Sequence, residues 1–133
     1  MRALVLGALF LTRATWALET DFLPEESAVR AAIDARAMDL VMPDAQYIQG
    51  VTGWLDAAAL AHTAGLPMSS HTFVEASMHL LCATPTADWL EVLDAAGGLR
   101  LAPLQLRDGC LTPWDTPGLG MDWNEDAVAR HRL

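Results

Sequence analysis

The feature that most constrains this chain is a repeated alternation of short apolar runs and helical stretches. An ionisable residue stands at or just past the end of each run. Leu40-Val41-Met42 is stopped by Pro43 and followed by Asp44. Leu66-Pro67-Met68 leads through Ser69-Ser70 to His71, Ala87-Asp88-Trp89-Leu90 leads to Glu91, and Trp16-Ala17-Leu18 leads to Glu19. Between the runs lie helical patterns. Pro24-Glu25-Glu26 puts proline and acids where a first helical turn favours them. Val29, Ala32 and Ile33 then recur at helical spacing, with Arg30, Asp34 and Arg36 on the wet face. Trp54 to Ala61 is rich in Ala and Leu and reads as helix, ended by Gly65. Phe73 to Leu81 reads as another. This βαβα order predicts parallel strands near 38–43, 66–70 and 87–91, with a fourth near 14–19, and helical crossovers outside them.

After Gly97-Gly98 the texture changes. Leu99-Arg100-Leu101-Ala102 and Leu104-Gln105-Leu106 alternate in part, and Asp108-Gly109 is a hairpin-type turn. Thr116-Pro117-Gly118-Leu119-Gly120 reads as a loop, and Asn124 or Glu125 starts a short terminal helix. No repeat, low-complexity tract or flexible linker interrupts the chain.

Charge narrows the class of partner. Seventeen acidic residues face eight basic ones, for a formal net charge of −9. That balance argues against binding a phosphate backbone, which needs clustered Lys and Arg. All eight basic residues are Arg, so the chain has no lysine. The 53% apolar content supports a packed core. Cys82 and Cys110 have neither zinc-site spacing nor a disulfide pattern, and read as reduced thiols of a cytoplasmic protein. At the N-terminus, the run from Ala3 to Leu11 resembles a short signal-peptide core, with Thr15-Trp16-Ala17 as a loose cleavage site, making 1–17 a signal. The same run also reads as a truncated barrel element. It is too short to span a bilayer.

Glu19, Asp44, His71 and Glu91 are separated by 25, 27 and 20 residues, each close to one strand-plus-helix unit. In a (β/α)8 barrel all strand C-termini open on one face, where catalytic groups gather. Taken singly, each of the four is an ordinary loop charge or helix cap. The local words are more specific. Met42-Pro43-Asp44, Gly50-Val51-Thr52-Gly53-Trp54, Met68-Ser69-Ser70-His71 and Ala83-Thr84-Pro85-Thr86-Ala87-Asp88-Trp89-Leu90-Glu91 occur in that order. Together with Pro117-Gly118-Leu119-Gly120, they resemble the mandelate racemase group of the mandelate racemase/muconate lactonizing enzyme family, in the enolase superfamily. The resemblance covers roughly residues 19 to 133.

The resemblance implies the C-terminal portion of a (β/α)8 barrel, incomplete, with parallel strands and outer helices. Residues 1–18 match poorly, 19–97 correspond to barrel strands 5/6 to 8 with their helices, and 98–133 to the segment that returns toward the family's capping domain. By the same resemblance, Asp44 and His71 are an Asp–His general base that moves a proton alpha to a carboxylate. Imidazole suits that work, because a carboxylate orients the ring and supports its protonated form. Glu91 matches an acid that hydrogen-bonds a substrate carboxylate oxygen, and Glu19 the last of three acidic Mg²⁺ ligands, with Asp21 a competitor. Leu93 and Thr72 would wall the substrate pocket. The implied partner is a small carboxylate, either an aryl hydroxy acid or a sugar acid. The implied activity is that of an isomerase (racemase) or a lyase (acid-sugar dehydratase).

Other residues carry plainer readings. His62, His79 and His131 read as surface or packing residues, Trp54 and Trp89 as gap fillers, and Ser69 and Ser70 as strand-end hydrogen-bonding groups. No Gly-x-Ser-x-Gly elbow surrounds the two serines.

The chain also departs from the family pattern. A whole barrel takes roughly 250 residues. The capping domain, the first four strands, a lysine base and two acidic metal ligands have no counterpart here. Gln49 stands beside Gly50 where the family often has a Gly pair. The expectations are therefore a catalytic part inactive alone that needs a missing N-terminal half, or a noncatalytic half-barrel that associates with itself or another chain.

Overall fold

The computed structural model describes Ala3–Leu4, Ala17–Glu19 and residues 26–132. The chain order is β1 (Ala3–Leu4), β2 (Ala17–Glu19), α1 (Glu26–Asp34), β3 (Leu40–Met42), α2 (Gly50–Ala64), α3 (Val74–Ala83), β4 (Leu106–Arg107), β5 (Cys110–Leu111) and α4 (Glu125–Arg130). The signal-like run, apart from Ala3–Leu4, and the Pro24-Glu25 helix start lie outside the described residues.

The predicted parallel arrangement is present. β2 pairs in parallel with β3, matching Ala17 with Leu40, Leu18 with Val41 and Glu19 with Met42. Parallel bridges then join Val41 to Met68 and Met68 to Ala87. The Val41 amide donates to the Pro67 carbonyl and the Ser69 amide to that of Val41. On the next edge the Met68 amide donates to Thr86 and the Asp88 amide to Met68. Four strand segments thus lie side by side in sequence order, each joined to the next through one helix. This is part of a (β/α)8 barrel. Only β3 of the three firmest predictions is a regular strand; residues 66–70 and 87–91 pair through single bridges. Pro67 and Pro85 supply no amide to a ladder, which accounts in part for the short pairing.

The helices cover one side of this sheet. Val29 of α1, Trp54, Ala57 and Ala61 of α2, and Val74, Met78 and Leu81 of α3 are buried with Val41, Met68 and Leu90 in one cluster. α2 begins four residues before the predicted Trp54, and two backbone features explain its start. Gln49 and Gly50 both take the left-handed conformation, at φ 66° and 73°. At Gly53 an added Cβ would lie 1.6 Å from the Ile48 carbonyl oxygen, so the first turn closes on the preceding loop only with glycine there. At the other end the Gly65 amide donates to His62 and the Leu66 amide to Ala61, a Schellman-type stop. Trp54 does more than fill space. Its indole N–H donates to Thr84 Oγ1 at 3.0 Å, tying α2 to the end of α3 and sparing a buried donor.

The C-terminal segment does not continue this pattern. Asp108 and Gly109, both at positive φ, turn β4 into β5, and β1 pairs antiparallel on the other side of β5. Arg100 bridges antiparallel to Trp123. The Asn124 side chain accepts from the Ala127 amide and caps α4. Cys82 and Cys110 are free thiols. No described helix is long and apolar enough to cross a membrane.

Candidate active site at the strand ends

Three of the four strand-end residues converge. A parallel bridge sets Asp44 opposite His71, with the His71 amide donating to the Pro43 carbonyl. The His71 ring then points between two carboxylates. Its Nδ1 is 3.7 Å from Asp44 Oδ2, and its Nε2 is 3.9 Å from Glu91 Oε2. Both separations exceed a direct hydrogen bond and are within range of one after a small side-chain movement. The environments grade outward: the side chain is 4% exposed for Asp44, 19% for His71 and 39% for Glu91. The Asp44 carboxylate is thus buried, while that of Glu91 faces the open side.

Each carboxylate is held by groups from the neighbouring strand end. Asp44 Oδ1 accepts from the Gln46 amide at 2.6 Å, and Asp44 Oδ2 accepts from the Thr72 hydroxyl at 2.5 Å. Glu91 is gripped twice: its own amide donates to Ser70 Oγ at 3.0 Å, and its Oε2 accepts from the Thr72 amide at 2.7 Å. Ser69 Oγ accepts from the Trp89 amide at 3.1 Å. The serines are therefore strand-end hydrogen-bonding groups, as their context predicts.

Glu19 ends β2 in register with Met42, two residues before Asp44, so its backbone reaches the same end of the sheet. Mg²⁺ wants near-octahedral oxygen coordination, and among the described residues no group of three or more His, Cys, Asp or Glu forms a metal cage. Asp44 already accepts two short hydrogen bonds.

Thr72 and Leu93 both line a cleft of about 650 Å³, whose lining does not include Asp44, His71 or Glu91 and which adjoins the two carboxylates through Thr72. Phe73, Leu99, Met121 and Trp123 add to its mostly apolar walls, with Gln46 and Glu75 among the polar ones.

The remaining histidines stand apart from this cluster. His62 is exposed in the last turn of α2, His79 Nε2 lies 3.1 Å from the Leu119 carbonyl, and His131 Nδ1 lies 2.8 Å from that of Ala127. Sequence reasoning missed one buried group. Arg100, with a side chain 1% exposed, bonds Glu75 of α3 and, at 2.6 Å, Asp94. An arginine flanked by leucines in a partly alternating run gives no sign of such burial.

The profile of the enolase C-terminal domain-like family matches residues 24–127. The chain belongs to that family, within the mandelate racemase/muconate lactonizing enzyme group of the enolase superfamily. It is 32% identical over 114 residues to L-talarate/galactarate dehydratase of Salmonella typhimurium, covering 86% of this chain and 28% of that protein. Among solved structures, an enolase from Bradyrhizobium complexed with magnesium and mandelic acid is 48% identical with a TM-score of 0.77. That match covers 81% of this chain and 30% of the other. L-talarate dehydratase from Polaromonas sp. JS666, complexed with Mg and L-glucarate, is 32% identical with a TM-score of 0.73 and covers 82% and 30%. The chain spans under a third of the length of these relatives.

Proposed function

We propose that this chain supplies the Asp–His base of a mandelate racemase-type site, acting on the alpha proton of a 2-hydroxy carboxylate. The observation that carries the reading is the placement of His71 between Asp44 and Glu91, at 3.7 and 3.9 Å, on one end of a parallel sheet. In this reading His71 Nε2 takes the alpha proton. Asp44, on the Nδ1 side, orients the ring and balances the positive charge it acquires. Glu91, in its protonated form, donates a hydrogen bond to a substrate carboxylate oxygen as charge develops there. Because His71 can return the proton only to the face it came from, inversion requires a second base on the opposite face. This chain has no lysine to serve. Glu19 is the residue we assign to a Mg²⁺ ligand, with the other ligands from outside this chain; bound Mg²⁺ would neutralise charge on the substrate oxygens.

A 2-hydroxy acid with an apolar substituent fits the cleft walls formed by Phe73, Leu93 and Trp123. The sugar-acid dehydratase alternative draws support from the talarate dehydratases at 32% identity. The test is deuterium exchange at the alpha carbon of mandelate and several sugar acids, with Mg²⁺ present. Residues 1–133 alone give background exchange, because most groups that hold the substrate are absent from them. Adding the N-terminal part of a related enzyme restores exchange, and His71→Asn abolishes it. Exchange in the complemented enzyme that survives His71→Asn would overturn the assignment.

A further inference from the structure

We infer that Thr72 is a positioning residue that holds both carboxylates in place on either side of His71. The inference rests on the reading of His71 as the base, and concerns a residue that the reading itself uses only as a wall. Thr72 is engaged through all three of its polar groups. Its hydroxyl donates to Asp44 Oδ2 at 2.5 Å, its amide donates to Glu91 Oε2 at 2.7 Å, and its carbonyl accepts from Ser77 Oγ at 3.0 Å. The last bond ties the clamp to the first turn of α3, which starts at Val74. The backbone here is unusual. Thr72 has φ 45° and Phe73 φ 39°, so two successive non-glycine residues are left-handed, the first of them β-branched. That conformation is unfavourable for such a side chain. In this conformation the Thr72 amide donates to Glu91 while its hydroxyl reaches back to Asp44.

The chemistry gives the contact its meaning. Asp44 Oδ2 is the same oxygen that faces His71 Nδ1 at 3.7 Å. A carboxylate oxygen accepts two hydrogen bonds. With one direction taken by Thr72 and Oδ1 taken by the Gln46 amide, the remaining direction on Oδ2 is left for the imidazole. The hydroxyl thus fixes the carboxylate plane on which the ring's orientation depends. The amide sets the acid at the other ring nitrogen. A single residue thereby couples the base's partner to the acid.

Ring-labelled histidine in the full 133-residue chain tests this without relying on turnover. Thr72→Val keeps the shape and removes the hydroxyl, whereas Thr72→Ser keeps the hydroxyl. The ¹⁵N shifts of the His71 ring nitrogens change in Thr72→Val and return to wild-type values in Thr72→Ser. The shifts of His62, His79 and His131 stay fixed in both. A second measurement covers the case in which Thr72→Val does not fold: in the otherwise unaltered chain, the Thr72 amide proton shift moves upfield on Glu91→Ala, which removes its acceptor. Folded Thr72→Val with unchanged His71 nitrogens, or a Thr72 amide indifferent to Glu91→Ala, overturns the inference. If instead these signatures appear and the exchange assay finds His71 dispensable, the clamp stands and the catalytic reading falls.

Discussion

Gln49 and Asp88 show how single residues depart from what their positions favour. Gln49 occupies the left-handed region at φ 66° immediately before a helix, beside Gly50 at φ 73°. The turn that the family often makes with two glycines is kept here with one, at the steric cost of a Cβ in that region. Replacing Gln49 with glycine relieves the clash and adds chain entropy to the unfolded state, which opposes the gain. The expected net effect of Gln49→Gly is a stabilisation of about 0.5–1 kcal/mol, read as a higher urea midpoint. Asp88 is a different case. Burial raises its carboxyl above the ordinary 3.8 by desolvating the charged form. A raised carboxyl in the folded state favours folding only below about that ordinary value. The benefit is lost as pH climbs through the folded value, so the ionised group works against folding at neutrality. Asp88→Asn should therefore raise stability at pH 7, with the advantage shrinking as pH falls through the raised folded value and gone below the ordinary 3.8. A variant that is less stable at pH 7 would show that Asp88 makes a compensating contact. The place of Gln49 beside Gly50 is a sequence signal for its strained turn, whereas the desolvation of Asp88 is set by packing and has no such signal.

At the level of elements, what was legible is what repeats. Strand ends marked by Pro43, Ser70 and Glu91, the Gly65 stop, the Asp108-Gly109 turn and the Asn124 cap all follow from local chemistry. The site reads from sequence for the same reason: parallel strands carry residues one unit apart to a shared end. The Thr72 clamp and the Arg100 cluster were not legible, since each joins elements through contacts without a spacing rule. Arg100 is the firmest of these ties. It fastens the segment after Glu91 to α3 through Glu75, with side chains 1% and 6% exposed, and through the outer carboxylate of Asp94. Its Nε has no partner among the described residues. Removing one member of such a buried pair leaves an uncompensated charge and costs roughly 3–5 kcal/mol, whereas replacing both with apolar groups is often neutral or better. Arg100→Met is expected to lose stability on that scale, and Arg100→Met with Glu75→Leu to regain most of it, in a double-mutant cycle by chemical denaturation. Equal losses in the single and double variants would show that packing of the arginine stem, rather than charge, sets the energy.

For the whole molecule the governing observation is that the sheet formed by the described residues does not close. Among the described residues β2 pairs on one side only, with β3, and residues 87–91 pair on one side only, with 66–70. A full barrel has eight strands and no edge, because its last strand meets its first. Among the described residues two parallel edges have no pairing strand, and an open edge is a template for pairing with another chain. Apolar exposure adds to the drive. Tyr47 in the turn before α2 is 60% exposed, Val51 and Leu55 on the first turns of α2 are 61% and 44% exposed, and Leu93 and Leu101 are 58% and 64% exposed. The net charge of −9 opposes self-association and is screened by salt. Residues 1–133 in isolation should therefore associate in a concentration-dependent way, with the associated fraction rising between low salt and about 0.5 M, where the Debye length falls to a few ångströms. Light scattering across a dilution series at two salt concentrations measures this. If edge pairing drives the association, a proline at Leu18 in β2 reduces it more than Val51→Glu with Leu55→Glu on α2, since proline removes a strand donor and the glutamates alter only a helix surface. The opposite ranking would place the contact on the α2 stripe and leave the sheet edges without a part in it.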